Sequence, residues 1–77
     1  MRTILGKINS KPRKAKYNTK IKIRTPQGIS ITAIATGAIG DKLALFQKGD
    51  DVIIYGYFDG TKIIIDGIKN IRRKNVN

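Results

Sequence analysis

Apolar and polar side chains alternate along most of this chain, and that period of two restricts it to a fold built from strands. The clearest case is residues 19–25, where isoleucine alternates with lysine or arginine, so that Ile21 and Ile23 would face inward. Isoleucine is abundant, and its stiff, branched side chain favours strands over helices. By the same pattern the sequence predicts further strands, over residues 3–8, 29–36, 51–58 and 61–71.

Turn signals and one change of period set the order of these strands. Residues 25–28 (TPQG) have the composition of a type I turn, and Asp59 followed by Gly60 is a strong hairpin signal. Between the third and fourth strands the apolar residues take helical spacing, at Ile39, Leu43 and Phe46. That spacing predicts a helix of about two turns with Gly49 at its C′ position. A helix between the third and fourth of five strands predicts an all-β OB barrel with small α content.

Alternation also assigns inward and outward positions. It places Ile29 and Phe58 on inward faces and Tyr55 and Tyr57 on an outward face, and the helix would bring Phe46 into the core. Two further isoleucines, Ile53 and Ile64, fall at positions that should face water. They indicate either a homodimer or higher homo-oligomer, or cover by the helix.

The charge of the chain is concentrated at one end. Residues 1–24 carry nine lysines and arginines and no acid, whereas all five acids lie between Asp41 and Asp66. Residues 9–18 (NSKPRKAKYN) have the composition of a basic loop. A small domain with a net charge of +11 and one cationic end is suited to a polyanion, and nucleic acid is the usual one. The basic segment contains Pro12 and has strand period, so it does not predict a membrane-bound amphipathic helix.

Several classes of function lack the residues they need. The chain has no histidine, cysteine or glutamate, so we predict no enzyme, no cofactor, no small-molecule substrate and no metal site. Asp50 and Asp51 could bind a hard cation, but a turn at a strand entry explains them better. Neither a secretory signal nor a membrane span is visible, so we expect a soluble, cytoplasmic, nucleoid-associated protein. One domain over residues 1–71 should be followed by a basic, disordered tail at 72–77.

Three segments resemble the single-strand DNA-binding protein and primosomal replication protein N family of OB folds. They are residues 4–8 (ILGKI), 31–37 (ITAIATG) and 48–56 (KGDDVIIYG), the last similar to the family's K-G-x-x-V-x-I-x-G strand entry. The resemblance spans residues 4–71 and implies a barrel that binds single-stranded DNA in replication, recombination or mobile-element maintenance. The chain departs from the family in having no tryptophan and no acidic tail, so a role as a replication hub is not implied.

From these residues we predict a site that binds single-stranded nucleic acid with little sequence specificity, DNA being favoured over RNA. Cations would hold the phosphates and tyrosines would stack on the bases. The predicted cations are Lys11, Arg13, Lys14, Lys16, Lys20, Lys22 and Arg24, and the predicted tyrosines are Tyr17, Tyr55 and Tyr57.

Other interpretations fit the same residues. The lysines of residues 19–25 could keep an edge strand from aggregating, and Tyr55 and Tyr57 could pack against a second subunit. Residues 37–40 (GAIG) match the G-x-x-G motif of a loop that clamps the nucleic-acid backbone, but a strand-to-helix turn is favoured there. The main alternative function is a structural RNA-binding component, ribosomal or chromatin-like, built on an SH3-like or OB barrel. A second alternative is a module that binds an acidic protein. A helix at residues 39–46 would favour an OB barrel over an SH3-like barrel.

Overall fold

Residues 1–71, which the computed structural model describes, form six strands and one helix. In chain order these are β1 (Arg2–Ile8), β2 (Arg13–Lys14), β3 (Asn18–Arg24), β4 (Ser30–Thr36), α1 (Gly37–Leu43), β5 (Asp51–Asp59) and β6 (Lys62–Asn70). The tail expected at residues 72–77 lies outside the described residues. No helix within residues 1–71 is long and apolar enough to cross a bilayer.

Five of these strands close a mixed barrel within the described residues. Their order is β1-β5-β6-β4-β3, and β1 closes the ring by pairing with β3 as well as β5. The β4–β6 pair is parallel and the other pairs are antiparallel. The helix α1 follows β4 and packs against β3, β4 and β6. This arrangement confirms the predicted OB barrel, since residues 37–43 form a helix rather than a strand.

The core consists of the alternating apolar residues of the barrel strands with one residue from α1. Its buried members are Ile8, Ile21, Ile23, Ala33, Ala35, Leu43, Val52, Ile54, Ile63, Ile65 and Ile68. Ile21 and Ile23 face inward as their alternation predicted. Ile39 and Phe46 are partly buried and pack against this cluster, so the helical spacing also identified core residues correctly.

The predicted turns are present. The Gly28 N–H donates to the Thr25 carbonyl at 2.8 Å, which closes the β3–β4 turn. The β5–β6 hairpin pairs Asp59 with Lys62 around Gly60, whose φ is +67°. A residue without a Cβ atom tolerates such a φ best, so glycine suits this position.

The β5–β6 ladder contains a bulge that sequence spacing did not reveal. The register shifts between Tyr55, which is opposite Gly67, and Gly56, which is opposite Ile65. Asp66 is the extra residue. A side chain at Gly56 would overlap the Ile64 carbonyl oxygen, so the close approach of the two strands requires glycine there.

Two predictions of inward position were wrong. Phe58 is 42% exposed, because β5 runs past the core to the rim of the barrel, where the Arg2 guanidinium lies 5.8 Å from the ring centroid. Ile29 is 58% exposed because it belongs to the turn that precedes β4. Alternation gives the face of a strand but not the point at which the core ends.

Two boundaries also differ from the sequence prediction. Helix α1 ends at Leu43 with Ala44 as its C-cap, so Gly49 is not its C′ residue. Gly49 instead has a φ of +97° in the turn before β5, and its N–H donates to the Ile8 carbonyl at 2.8 Å. The predicted loop at residues 9–18 contains the short strand β2.

Candidate nucleic-acid interface

The segment from residue 9 to residue 17, here called the arm, folds back along β3. Its strand β2 pairs antiparallel with β3, and this pairing places Arg13 opposite Lys20. At the start of the arm, the Asn9 N–H donates to the Lys22 carbonyl at 2.7 Å, and the Lys22 N–H donates to Ser10 Oγ at 3.1 Å. These hydrogen bonds hold the cations of the arm beside those of β3.

An open groove of about 640 Å³ lies between the arm and the outer face of β3. We call it the basic groove; its lining residues are Ser10, Lys11, Pro12, Arg13, Lys20, Ile21, Lys22 and Thr32. Four of these residues are cations, and none of the lining residues found within the described chain is acidic. Positive charges that line a concave wall focus a positive potential, which attracts an anionic ligand.

A row of side chains continues from the groove across the outer surface of the barrel. Strand pairing sets Lys20 opposite both Arg13 and Ile34, Ile34 opposite Ile64, and Ile64 opposite Tyr57. Because neighbouring strands lie about 4.8 Å apart, this outer row extends about 19 Å along the curved surface. Ile34 and Ile64 are half-buried and Tyr57 is 50% exposed, so the row is cationic at one end and apolar at the other.

The remaining residues of the arm lie at its far end, outside the basic groove. Lys14 Nζ is 2.8 Å from the carboxylate of Asp41 on α1, and both side chains are exposed. Lys16 Nζ lies 5.4 Å from the centroid of the Tyr17 ring, which is 76% exposed. A separate cavity of about 250 Å³ lies between this end of the arm and α1.

Two further predicted site residues, on the barrel strands, also lie away from the groove. Arg24 is opposite Lys7 of β1, at the seam where the barrel closes. Tyr55 is opposite Thr3 of β1 and Gly67 of β6, and it is half-buried. The structure therefore brings Lys11, Arg13, Lys20 and Lys22 together, with Tyr57 at the end of the outer row, and separates Arg24 and Tyr55 from them.

Sequence reasoning missed the two polar residues that complete the groove. Ser10 and Thr32 line it, but isolated hydroxyl residues in a loop and a strand gave no signal. Alternation places Ile34 on the face of β4 opposite Ala33 and Ala35, and only the parallel pairing of β4 with β6 shows that it adjoins Ile64.

Residues 37–40 form the first turn of α1, which directly follows β4. Gly37 has a φ of +58°, and Gly40 is buried, its carbonyl accepting the Thr19 hydroxyl at 2.9 Å. This is the strand-to-helix turn that the sequence favoured over a backbone clamp.

The paired aspartates at the entry to β5 make local contacts. Asp50 Oδ2 accepts the Gln47 N–H at 2.9 Å, and Asp51 Oδ1 lies 3.0 Å from Lys7 Nζ. Over residues 1–71, no three acidic, histidine or cysteine side chains cluster as metal ligands would.

Comparison with known proteins supports the barrel. No protein-family model matches this sequence, and no curated protein matches it significantly. The chain is similar to part of TiaS in a complex with an isoleucine tRNA, AMPCPP and agmatine, with a TM-score of 0.81 over 96% of this chain at 20% identity. It is likewise similar to a ZRD-deleted mutant of TiaS in complex with agmatine, with a TM-score of 0.80 over 91% of this chain at 21% identity.

The chain spans only 19% and 21% of those two proteins. At such identities the similarity establishes the fold alone. It agrees with the OB barrel that the resemblance to single-strand DNA-binding proteins implied, but it does not assign the chain to that family.

Proposed function

We propose that this chain binds unpaired nucleic acid in the basic groove and along the outer row, and that its ligand is RNA. The observation that carries the proposal is the convergence of Lys11, Arg13, Lys20 and Lys22 on one groove whose lining contains no acid within the described residues. An OB barrel that binds RNA through such a surface is the structural RNA-binding component that the sequence left as an alternative.

Phosphate binding is the larger part of the expected affinity. Each lysine or arginine that engages a phosphate releases condensed counterions, with a salt slope of about −0.7 per contact for a single strand. Four contacts in the groove give a slope of about −2.8, so affinity should fall roughly fiftyfold between 50 and 200 mM salt. A steep salt dependence of this size is a direct signature of the groove.

The apolar end of the outer row supplies a surface for bases. Tyr57 presents an exposed ring, and Ile34 and Ile64 extend the apolar surface towards Lys20. Stacking of a base on such a ring contributes about 1–3 kcal/mol and depends little on sequence. The row therefore favours unpaired bases over a duplex, whose bases are already stacked.

Two observations favour RNA over DNA. The barrel is similar to part of a protein whose structure was solved in complex with a tRNA. In addition, two hydroxyl residues, Ser10 and Thr32, line the groove beside its cations. Such hydroxyls can exchange hydrogen bonds with a ribose 2′-OH, which DNA lacks.

Fluorescence anisotropy with labelled single-stranded RNA, single-stranded DNA of the same sequence and duplex RNA, at 50 and 200 mM salt, tests the proposal. We expect the tightest binding to single-stranded RNA, with a slope of about −2.8. Lys20→Gln and Lys22→Gln should each reduce the magnitude of the slope by about 0.7. Lys69→Gln is the matched control, because it removes the same charge from an exposed position on β6.

Each alternative outcome contradicts a defined part of the proposal. Equal affinity for duplex and single strand would exclude the stacking surface. Tighter binding to DNA would show that the ligand is the single-stranded DNA implied by the family resemblance, and not RNA. An equal loss in the Lys69→Gln variant would mean that net charge, rather than the groove, determines affinity.

A further inference from the structure

Strand β1 has an edge that the barrel leaves largely unpaired. Its pairing with β5 runs from Arg2 to Lys7, whereas its pairing with β3 involves only Lys7 and Ile8. Among residues 1–71, the second edge of β1 over residues 2–6 therefore faces the β3–β4 turn without a ladder. We call the gap between this edge and residues 25–27 the edge slot.

The direction of the hydrogen bonds at the end of β1 shows which of its backbone groups face the slot. The Ile8 N–H donates to the Asp50 carbonyl at 2.8 Å, so Ile8 directs its backbone groups towards the β5 side. The Asn9 N–H donates to the Lys22 carbonyl at 2.7 Å, towards β3. Because these directions alternate along a strand, Thr3 and Leu5 direct their N–H and C=O groups into the edge slot. Within residues 1–71, none of these four groups has a hydrogen-bond partner.

Both faces of the edge adjoin open cavities, and the larger one has mostly apolar walls. One, of about 450 Å³, is lined by Leu5, Pro26 and Ile71 among others. The other, of about 410 Å³, includes Ile4, Ile31 and Phe58 in its lining. Side chains of an added strand would point alternately to its two faces, so these cavities lie where such side chains would go.

The charges around the slot are mostly positive. Arg2 lines one cavity and Arg24 the other, and within the described residues neither forms an ion pair. Lys7 also lines the slot but is paired with Asp51 at 3.0 Å. An acidic ligand would gain from both arginines, and it would be attracted further by the net charge of +11.

We propose that the edge slot binds an extended, acidic peptide segment of a protein partner, which adds a strand to β1. The unpaired Thr3 and Leu5 groups would form its ladder hydrogen bonds, the two cavities would receive its apolar side chains, and Arg2 and Arg24 would face its acidic ones. A second copy of this chain suits the slot less well, because it would bring a like charge of +11 against these arginines. Nucleic acid also suits it less well, because it has no peptide backbone with which to extend the ladder at Thr3 and Leu5.

The probe is a short synthetic peptide in which pairs of valines alternate with pairs of glutamates, so that each face of the added strand carries both, titrated into the full chain by NMR. Amide hydrogen exchange at Thr3 and Leu5 should slow by about tenfold or more at saturation, as new ladder hydrogen bonds form. The same peptide with lysine in place of glutamate, and one N-methylated at alternate amides, should bind at least about tenfold more weakly.

Three variants test the edge separately from the general charge. Thr3→Pro removes the donor that faces the slot and leaves the β5 ladder intact, so peptide binding should weaken about tenfold, whereas Thr3→Val retains the donor and should bind normally. Arg2→Gln should also weaken peptide binding, without relying on a proline in the strand. Neither Thr3 nor Arg2 lines the basic groove, so single-stranded RNA binding should be unchanged in all three variants.

The proposal is overturned if the acidic peptide leaves exchange at Thr3 and Leu5 unchanged. It is also overturned if these amides become protected without the peptide. Protection that accompanies self-association, detected by sedimentation, would make a second copy the occupant, and protection on addition of RNA alone would make RNA the occupant. RNA binding is tested with the Lys20 and Lys22 variants, and peptide binding with the Thr3 and Arg2 variants. The absence of peptide binding would therefore leave the proposed function standing, and the absence of RNA binding would leave the peptide proposal standing.

Discussion

Lys20 and Lys22 owe their position in the basic groove to the period of two that buries their neighbours. Ile21 and Ile23 are almost fully buried, so the two lysines between and before them must face outward. The energy of burying each isoleucine, about 1.5–3 kcal/mol, therefore also fixes the direction of the cations. A residue-level pattern was enough to predict this part of the site.

Tyr57 is the residue at which stacking is most directly tested. Its ring is 50% exposed at the apolar end of the outer row. Tyr57→Ala should weaken binding of single-stranded RNA by about tenfold to a hundredfold, corresponding to a loss of about 1–3 kcal/mol of stacking, without changing the salt slope. Anisotropy titrations at two salt concentrations measure both quantities.

Tyr57→Phe is the matched control, because it keeps the ring and removes the hydroxyl. Affinity close to that of the unchanged protein is expected. If Tyr57→Ala instead binds normally, or loses affinity only by flattening the salt slope, the ring is not a stacking surface and the row contributes electrostatics alone.

At the scale of the elements, the sequence predicted each strand of the barrel but not how the arm attaches to it. Alternation is visible over seven residues of β3, whereas β2 has only two, so no period could identify it. The decision between a free basic loop and an arm fixed along β3 depends on Asn9, Ser10 and Arg13 pairing with Lys20 and Lys22 of the next strand. The residues between β2 and β3 carry no strong hairpin signal such as the Asp59-Gly60 pair, so neither this pairing nor the groove it forms could be predicted.

The bulge in β5–β6 leads to a stability prediction. Gly56→Ala would drive a methyl group into the Ile64 carbonyl oxygen, which belongs to a neighbouring strand and cannot move aside without breaking the ladder. The free energy of unfolding should fall by at least about 2–3 kcal/mol, which urea denaturation followed by circular dichroism would measure.

Gly67→Ala is the appropriate comparison within the same pair of strands. A methyl group there would lie 3.5 Å from the Tyr55 ring, an ordinary van der Waals distance, so a change within about 0.5 kcal/mol is expected. Equal destabilisation by both substitutions would show that the loss comes from a cause common to the two positions rather than from the close approach at Gly56.

At the scale of the whole molecule, the charge is divided between two surfaces. The basic groove and the edge slot share no lining residue, so nucleic acid and a peptide partner could occupy the barrel together. Each surface also adjoins one exposed ion pair, Lys14 with Asp41 near the groove and Lys7 with Asp51 beside the slot. These two pairs allow the effect of position to be separated from that of net charge.

Asp41→Asn should strengthen binding of single-stranded RNA severalfold. The substitution raises the net charge by one and releases Lys14, which follows Arg13 at the far end of the arm. An RNA strand that extends beyond the groove would then gain one further phosphate contact, which would steepen the salt slope by about 0.7. The cost to folding should be small, since the pair is exposed and such pairs contribute about 0–1 kcal/mol.

Asp51→Asn is the matched control, because it makes the same change in charge but releases Lys7 at the seam of the barrel, away from the groove. It should leave the salt slope unchanged. Salt titrations of the two variants side by side decide the matter: if their slopes steepen equally, the field of the whole protein governs binding and the position of the arm does not.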